Sequence, residues 1–229
     1  MNELVFFLYI LIISSSLLIS LKISKEALIS IICLQAILVN LFVTKEIPIF
    51  GLLATASDAI AVGITLGLNL LQEYFGKIEA QKTIWISFFC AIFYSIVSKL
   101  HVLYIPANEN IFVSNCFDII LNSTLRLIMA SLIVYIIVQN IDCQLYSYLN
   151  KKFKNRYFIL RNYGSTFITQ FLDTLLFSFL GLYKLNSNFS SINTIVQIII
   201  VSYTIKLIVI FIATPYLALS KKIINISKT

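Results

Sequence analysis

Four ionisable residues lie deep inside apolar runs of this chain: Asp58, Arg126, Asp173 and Lys206. Two are acids and two are bases, so the set can be neutral overall. A carboxylate accepts hydrogen bonds from ring N–H and amino groups, and a guanidinium meets carbonyls or stacks on flat rings. Charges buried among apolar residues are costly, and they mark either solute paths or mutual ion pairs. The packing explanation pairs Arg126 with Asp173, or Lys206 with Asp58. Against it stand uncharged polar neighbours, Ser57, Asn122, Ser123, Thr124, Ser131, Gln170, Thr174 and Tyr203, which suit a polar pocket for a solute. Enzyme chemistry finds no such support. Cys33, Cys90, Cys116 and Cys143 are scattered and His101 is the single histidine, so no zinc spacing exists. There is no nucleophile constellation and no nucleotide motif. The expectation is a protein that is not an enzyme and needs no cofactor or metal.

The elements that must position these charges follow from composition. The chain has 229 residues, 59% hydrophobic and 12% charged, with a mean hydropathy of +0.95. Soluble domains carry about 25% charged residues. So little charge cannot cover a soluble surface, and lipid must be the solvent for the apolar exterior. Soluble enzymes and disordered chains are excluded. Seven apolar runs are long enough to cross a bilayer: 4–21, 27–44, 47–71, 83–100, 117–141, 163–183 and 192–219. They are continuous, not alternating, so an all-α polytopic bundle is expected over residues 1–229 as one membrane domain. The first run lacks a small-residue cleavage site and reads as a retained helix.

Basic residues set the expected orientation. Twelve of the seventeen Lys and Arg residues, Arg161 among them, fall on the side holding loops one, three and five and the C-terminus; three fall on the other side and two inside spans. Positive loops stay in the cytoplasm, which predicts N-terminus out and C-terminus in. The net charge of +7 is then topological, with no nucleic-acid partner. Counted from the outer span ends, the four buried charges lie roughly 14–21 Å deep at 1.5 Å per residue. They are expected in one layer near the midplane, where transporters bind substrate.

Ordered polar positions also carry a resemblance. Residues 160–177, LRNYGSTFITQFLDTLLF, and 66–85, LGLNLLQEYFGKIEAQKTIW, resemble signatures of the queuosine-precursor branch of the vitamin uptake transporters. So do 126–142, RLIMASLIVYIIVQNID, 203–215, YTIKLIVIFIATP, and the early 40–45, NLFVTK. Two departures are visible: Asn69 stands where that family usually has Asp, and the first run is an added helix on a six-helix core.

The resemblance implies import of a 7-deazaguanine base, either the 7-cyano or 7-aminomethyl precursor of tRNA queuosine or queuine itself, across the cell inner membrane. Together with the charges inside the apolar runs, it makes Asn40, Asp58, Asn69, Glu73, Arg126, Asp173, Thr174, Tyr203 and Lys206 the candidate substrate contacts. Asp173 or Asp58 would accept the N–H edge of the base, Arg126 would meet its carbonyl or stack on the ring, and Lys206 would balance the acids. The partners expected are the small base and the lipid bilayer; a homo-oligomer or an energising module is left open. The rival reading is a substrate-binding subunit of an energy-coupling-factor vitamin transporter that needs a separate ATPase module.

Overall fold

A computed structural model of the chain describes residues 1–43, 45–55, 57–107, 111–121, 125–185 and 191–226. The helices are α1 Asn2–Ile23, α2 Lys25–Phe42, α3 Asp58–Phe75, α4 Lys77–His101, α5 Ile111–Leu121, α6 Leu125–Lys152, α7 Phe158–Phe177, α8 Ile192–Leu217 and α9 Ser220–Ile226. A π-helical turn, Ser178–Leu182, extends α7. Strands β1 Glu46–Ile49 and β2 Leu52–Thr55 form an antiparallel hairpin between α2 and α3.

Local chemistry explains the tight joints. Ser24 is extended, with φ −171°, and its hydroxyl accepts from the Ala27 amide at 3.0 Å. It thereby caps α2 directly after α1 ends. Gly76 alone joins α3 to α4 at φ 91°, a conformation open to glycine and strained for other residues. The hairpin turns at Phe50 and Gly51, both at positive φ, as a two-residue turn between strands requires. Asn2 donates to the Pro48 carbonyl at 2.9 Å, and Glu3 accepts from the Phe50 amide at 3.4 Å, so the hairpin seats on the start of α1.

Six helical segments among the described residues are long and apolar enough to cross a membrane: Asn2–Ile23, Lys25–Phe42, Lys77–His101, Arg126–Lys152, Phe158–Leu182 and Ile192–Ile223. Large apolar side chains such as Ile12, Phe89, Phe93, Ile200 and Phe211 stand exposed on them, as a lipid-facing surface requires. The molecule is an integral-membrane helical bundle. The seventh long helix, α3, is enclosed: α1, α2, α4, α6, α7 and α8 all pack against it. Fourteen of its 18 residues are buried.

Two expected spans are corrected. Run 47–71 is not one helix. Pro48 and the positive-φ turn break its first part into the hairpin, so Asp58 opens α3 instead of lying eleven residues inside it. Run 117–141 divides between α5 and α6, and α6 continues to Lys152. Residues Asn122, Ser123 and Thr124 lie outside the described residues, as does Thr44.

Close approach to α3 relies on two glycines one turn apart. A Cβ on Gly63 would lie 2.6 Å from Ile13 Cγ2, and one on Gly67 would lie 2.9 Å from Leu17 Cδ2 and 3.0 Å from Ile32 Cγ1. Small residues let helices meet closely where lipid supplies no hydrophobic drive. Gly67→Val should therefore force α1 and α2 outward and cost about 1–3 kcal/mol. The check is a lowered unfolding temperature of the purified variant in detergent.

Candidate functional site

The buried polar residues of α3, with the half-buried Glu73, lie on one stripe. Asp58, Thr65, Asn69, Gln72 and Glu73 recur at helical spacing, so they face the same neighbours. Helix α6 answers with Gln139, Asp142, Tyr146 and Asn150, and α7 with Arg161, Ser165, Thr166, Thr169, Gln170 and Asp173. The result is a polar seam running inside the bundle from the hairpin end of α3 to its Gly76 end.

Towards the hairpin end, Lys206 of α8 pairs with Asp173 of α7 at 2.6 Å. Lys206 is 4% exposed and Asp173 22%. The Ser202 hydroxyl donates to Asp58 Oδ1 at 3.0 Å, while Asp58 Oδ2 is buried with no hydrogen-bond partner among the described residues. Lys206 also lies within electrostatic reach of Asp58. Three of the four predicted charges therefore do converge, but Lys206 takes Asp173 as its ion-pair partner.

In the middle of the seam the groups are mostly neutral. Gln170 Nε2 donates to Thr65 Oγ1 at 2.9 Å, and Gln139 Nε2 donates to the same hydroxyl at 3.1 Å. Asn69 Nδ2 donates to Ser165 Oγ at 3.3 Å and Thr166 Oγ1 at 3.5 Å. Thr169 donates to Asp142 Oδ1 at 2.8 Å. At the Gly76 end, Arg161 holds Glu73 with two bonds of 2.7 and 2.8 Å. Tyr146 donates to Glu73 at 2.9 Å, and Arg161 also bonds the Arg156 carbonyl at 2.9 Å and the Asn150 side chain. Its plane lies over the Tyr146 ring at 5.4 Å. This is a saturated clamp joining α3, α6 and α7, and it involves two groups read from sequence as a substrate ligand and a loop charge.

The other predicted residues sit apart from the charged cluster or serve the backbone. Arg126 is in the first turn of α6, exposed, donating to the Leu180 carbonyl at 3.0 Å and the Tyr183 carbonyl at 2.6 Å. It satisfies carbonyls freed where α7 ends, and it does not share a layer with Asp58, Asp173 and Lys206. Thr174 bonds back to the Gln170 carbonyl at 2.9 Å, and Tyr203 donates to the Phe167 carbonyl at 3.1 Å. Asn40 accepts from Ser131 at 2.7 Å and lines a separate cleft among α2, α4, α5, α6 and the end of α7, about 460 Å³ including its open mouth. Sequence reading missed Asp142, because ending the span at Ile141 placed it at the membrane boundary. The spacing Gln139–Asp142–Tyr146–Asn150 was the signal that the helix continues.

Glu73→Gln should leave Arg161, with no exposed side chain, as an uncompensated buried charge, destabilising by roughly 3–5 kcal/mol. Arg161→Lys should lose the fork and fall in the same direction. Thermal unfolding of the purified variants in detergent checks both.

Comparison with known proteins places the chain. Residues 55–220 match the family model described as "Putative vitamin uptake transporter". The chain is 32% identical over 189 residues to the "Probable queuosine precursor transporter" of Bacillus subtilis (strain 168), covering 81% of this chain and 79% of that protein. No solved structure matches it. With its polar seam, its lipid-facing exterior and a family match across most of its length, this chain belongs to the vitamin uptake transporter family of integral membrane proteins.

Proposed function

We propose that the chain imports a 7-deazaguanine precursor of queuosine across the cell inner membrane as a single membrane unit, with its N-terminus outside and its C-terminus in the cytoplasm. The observation that carries this reading is the buried polar seam along α3, with an ion pair at each end and, between them, neutral groups around the Asp142 carboxylate. Polar groups inside lipid cost free energy unless they pair with one another or serve a solute. The name of the Bacillus relative supplies the solute class. Its flat ring and N–H edge match a seam rich in acceptors.

The two ends suit different parts in such transport. The Glu73–Arg161 clamp is saturated, whereas the Lys206–Asp173 pair is partly exposed and neighbours the open Asp58 oxygen. An aminomethyl group on the base would meet Asp58 and Asp173, while Lys206 keeps the empty site near neutrality. Exchange of Lys206 between the two carboxylates and the solute is the working step.

The test is uptake in a strain unable to make queuosine. Each precursor and queuine is fed separately, and queuosine in tRNA is measured. Expression of the chain should restore queuosine with at least one of them; no rescue by any overturns the reading. Asp173→Asn, at equal membrane level, should lower uptake by about tenfold, as expected for loss of a charged hydrogen bond. A reporter fused to the C-terminus should be active only in its cytoplasmic form.

A further inference from the structure

The middle of the seam holds an unusual imbalance. Asp142 Oδ2, Asn69 Oδ1 and Gln170 Oε1 are buried and have no hydrogen-bond partner among the described residues. The residues that carry them are each 1% exposed. All three are acceptors. They come from three helices that hydrogen bonds join at this level: Asn69 of α3 to Ser165 and Thr166, Asp142 of α6 to Thr169, and Gln170 of α7 to Thr65. Their donor capacity is already directed inward, since the Asn69 amide serves Ser165 and Thr166 and the Gln170 amide serves Thr65. Asn69 and Ser165 adjoin the Asp142 carboxylate, whose other oxygen takes the Thr169 hydroxyl. None of the ion pairs among the described residues includes Asp142.

Helix packing alone does not call for this set. An orphaned buried acceptor is costly, and three in one layer inside a membrane bundle demand donors from elsewhere. We infer that Asp142, with Asn69 and Gln170, forms the station that reads the donor edge of the transported base: a ring N–H together with an exocyclic amino group. A carboxylate matches that edge with two parallel N–H···O bonds. The two amide oxygens take remaining N–H groups, and an edge presenting lone pairs is repelled. The site lies between the Lys206–Asp173 pair and the Glu73–Arg161 clamp, so a base bound there is shielded by an ion pair on each side. This inference rests on the proposed import of a deazaguanine and adds to it the residues that select the edge.

Competition separates it from a structural role for Asp142. Cells expressing the chain take up labelled precursor in the presence of unlabelled 7-deazaguanine or of 7-deazahypoxanthine, which lacks the 2-amino group. In the wild type, 7-deazaguanine should compete at least tenfold better, the expected effect of a lost bond to a charged group. Asp142→Asn keeps an oxygen for Thr169 but loses the carboxylate; it should lower uptake about tenfold or more and narrow the competitor ratio to about threefold or less. Gln170→Leu should weaken competition by 7-deazaguanine about three- to tenfold. Membrane levels are measured for every variant. If both variants reach the membrane and keep the wild-type ratio, the inference is overturned and water alone fills the acceptor layer. If Asp142→Asn is not made, an unchanged ratio in Gln170→Leu overturns it. A wild-type chain that carries no deazaguanine removes the import reading, and this inference with it, whereas wild-type uptake with an unchanged ratio in the variants removes only the inference.

Discussion

The constraint on which the rest of this molecule depends is the enclosure of α3. A helix carrying Asp58, Thr65, Asn69, Gln72 and Glu73 on one stripe cannot face lipid, which offers no hydrogen bonds. It must be surrounded, and six other helices surround it. Its two opposite sides are built for different neighbours. Gly63 and Gly67 admit α1 and α2 at close range, while the polar stripe meets α6, α7 and α8. The apolar residues that would face water in a soluble protein are thereby free to face lipid on the outer helices.

The seam inside is uneven, and the unevenness separates structure from function. Arg161 has partners for its guanidinium on every side, so the clamp with Glu73 holds α3, α6 and α7 in register. The Lys206–Asp173 pair is looser and sits beside an acceptor without a partner. Between them lie acceptors that no described residue satisfies. A bundle stabilised for its own sake would close such gaps with apolar groups, since well-packed apolar replacements of buried polar sets are often neutral or stabilising. Unsatisfied groups held between satisfied ones are a layout suited to an exchangeable solute.

Much of this was legible from the residues. The charge deficit and seven apolar runs led directly to a polytopic helical bundle, and the ordered polar positions led to the family. Asp58, Asp173 and Lys206 stood out as charges in apolar runs, and they do meet. Legibility failed where helix ends mattered. Pro48, Phe50 and Gly51 convert the start of the third run into a hairpin, moving Asp58 to a helix terminus. The fifth run falls partly in α5 and partly in α6, so Arg126 stands in the first turn of α6 and serves backbone carbonyls. The polar tail of α6 read as a loop, which hid Asp142.

The sequence by itself determined the solvent, the number of long helices and the family, because hydropathy and ordered motifs are additive along the chain. Tertiary structure decided which polar side chains share a layer. That depends on where each helix starts and how it is rotated against its neighbours, and both are set by packing between residues far apart in sequence. Glu73 meets Arg161 across 88 positions and Asp58 meets Ser202 across 144. No local pattern encodes those meetings, and they alone distinguish a clamp from a binding site.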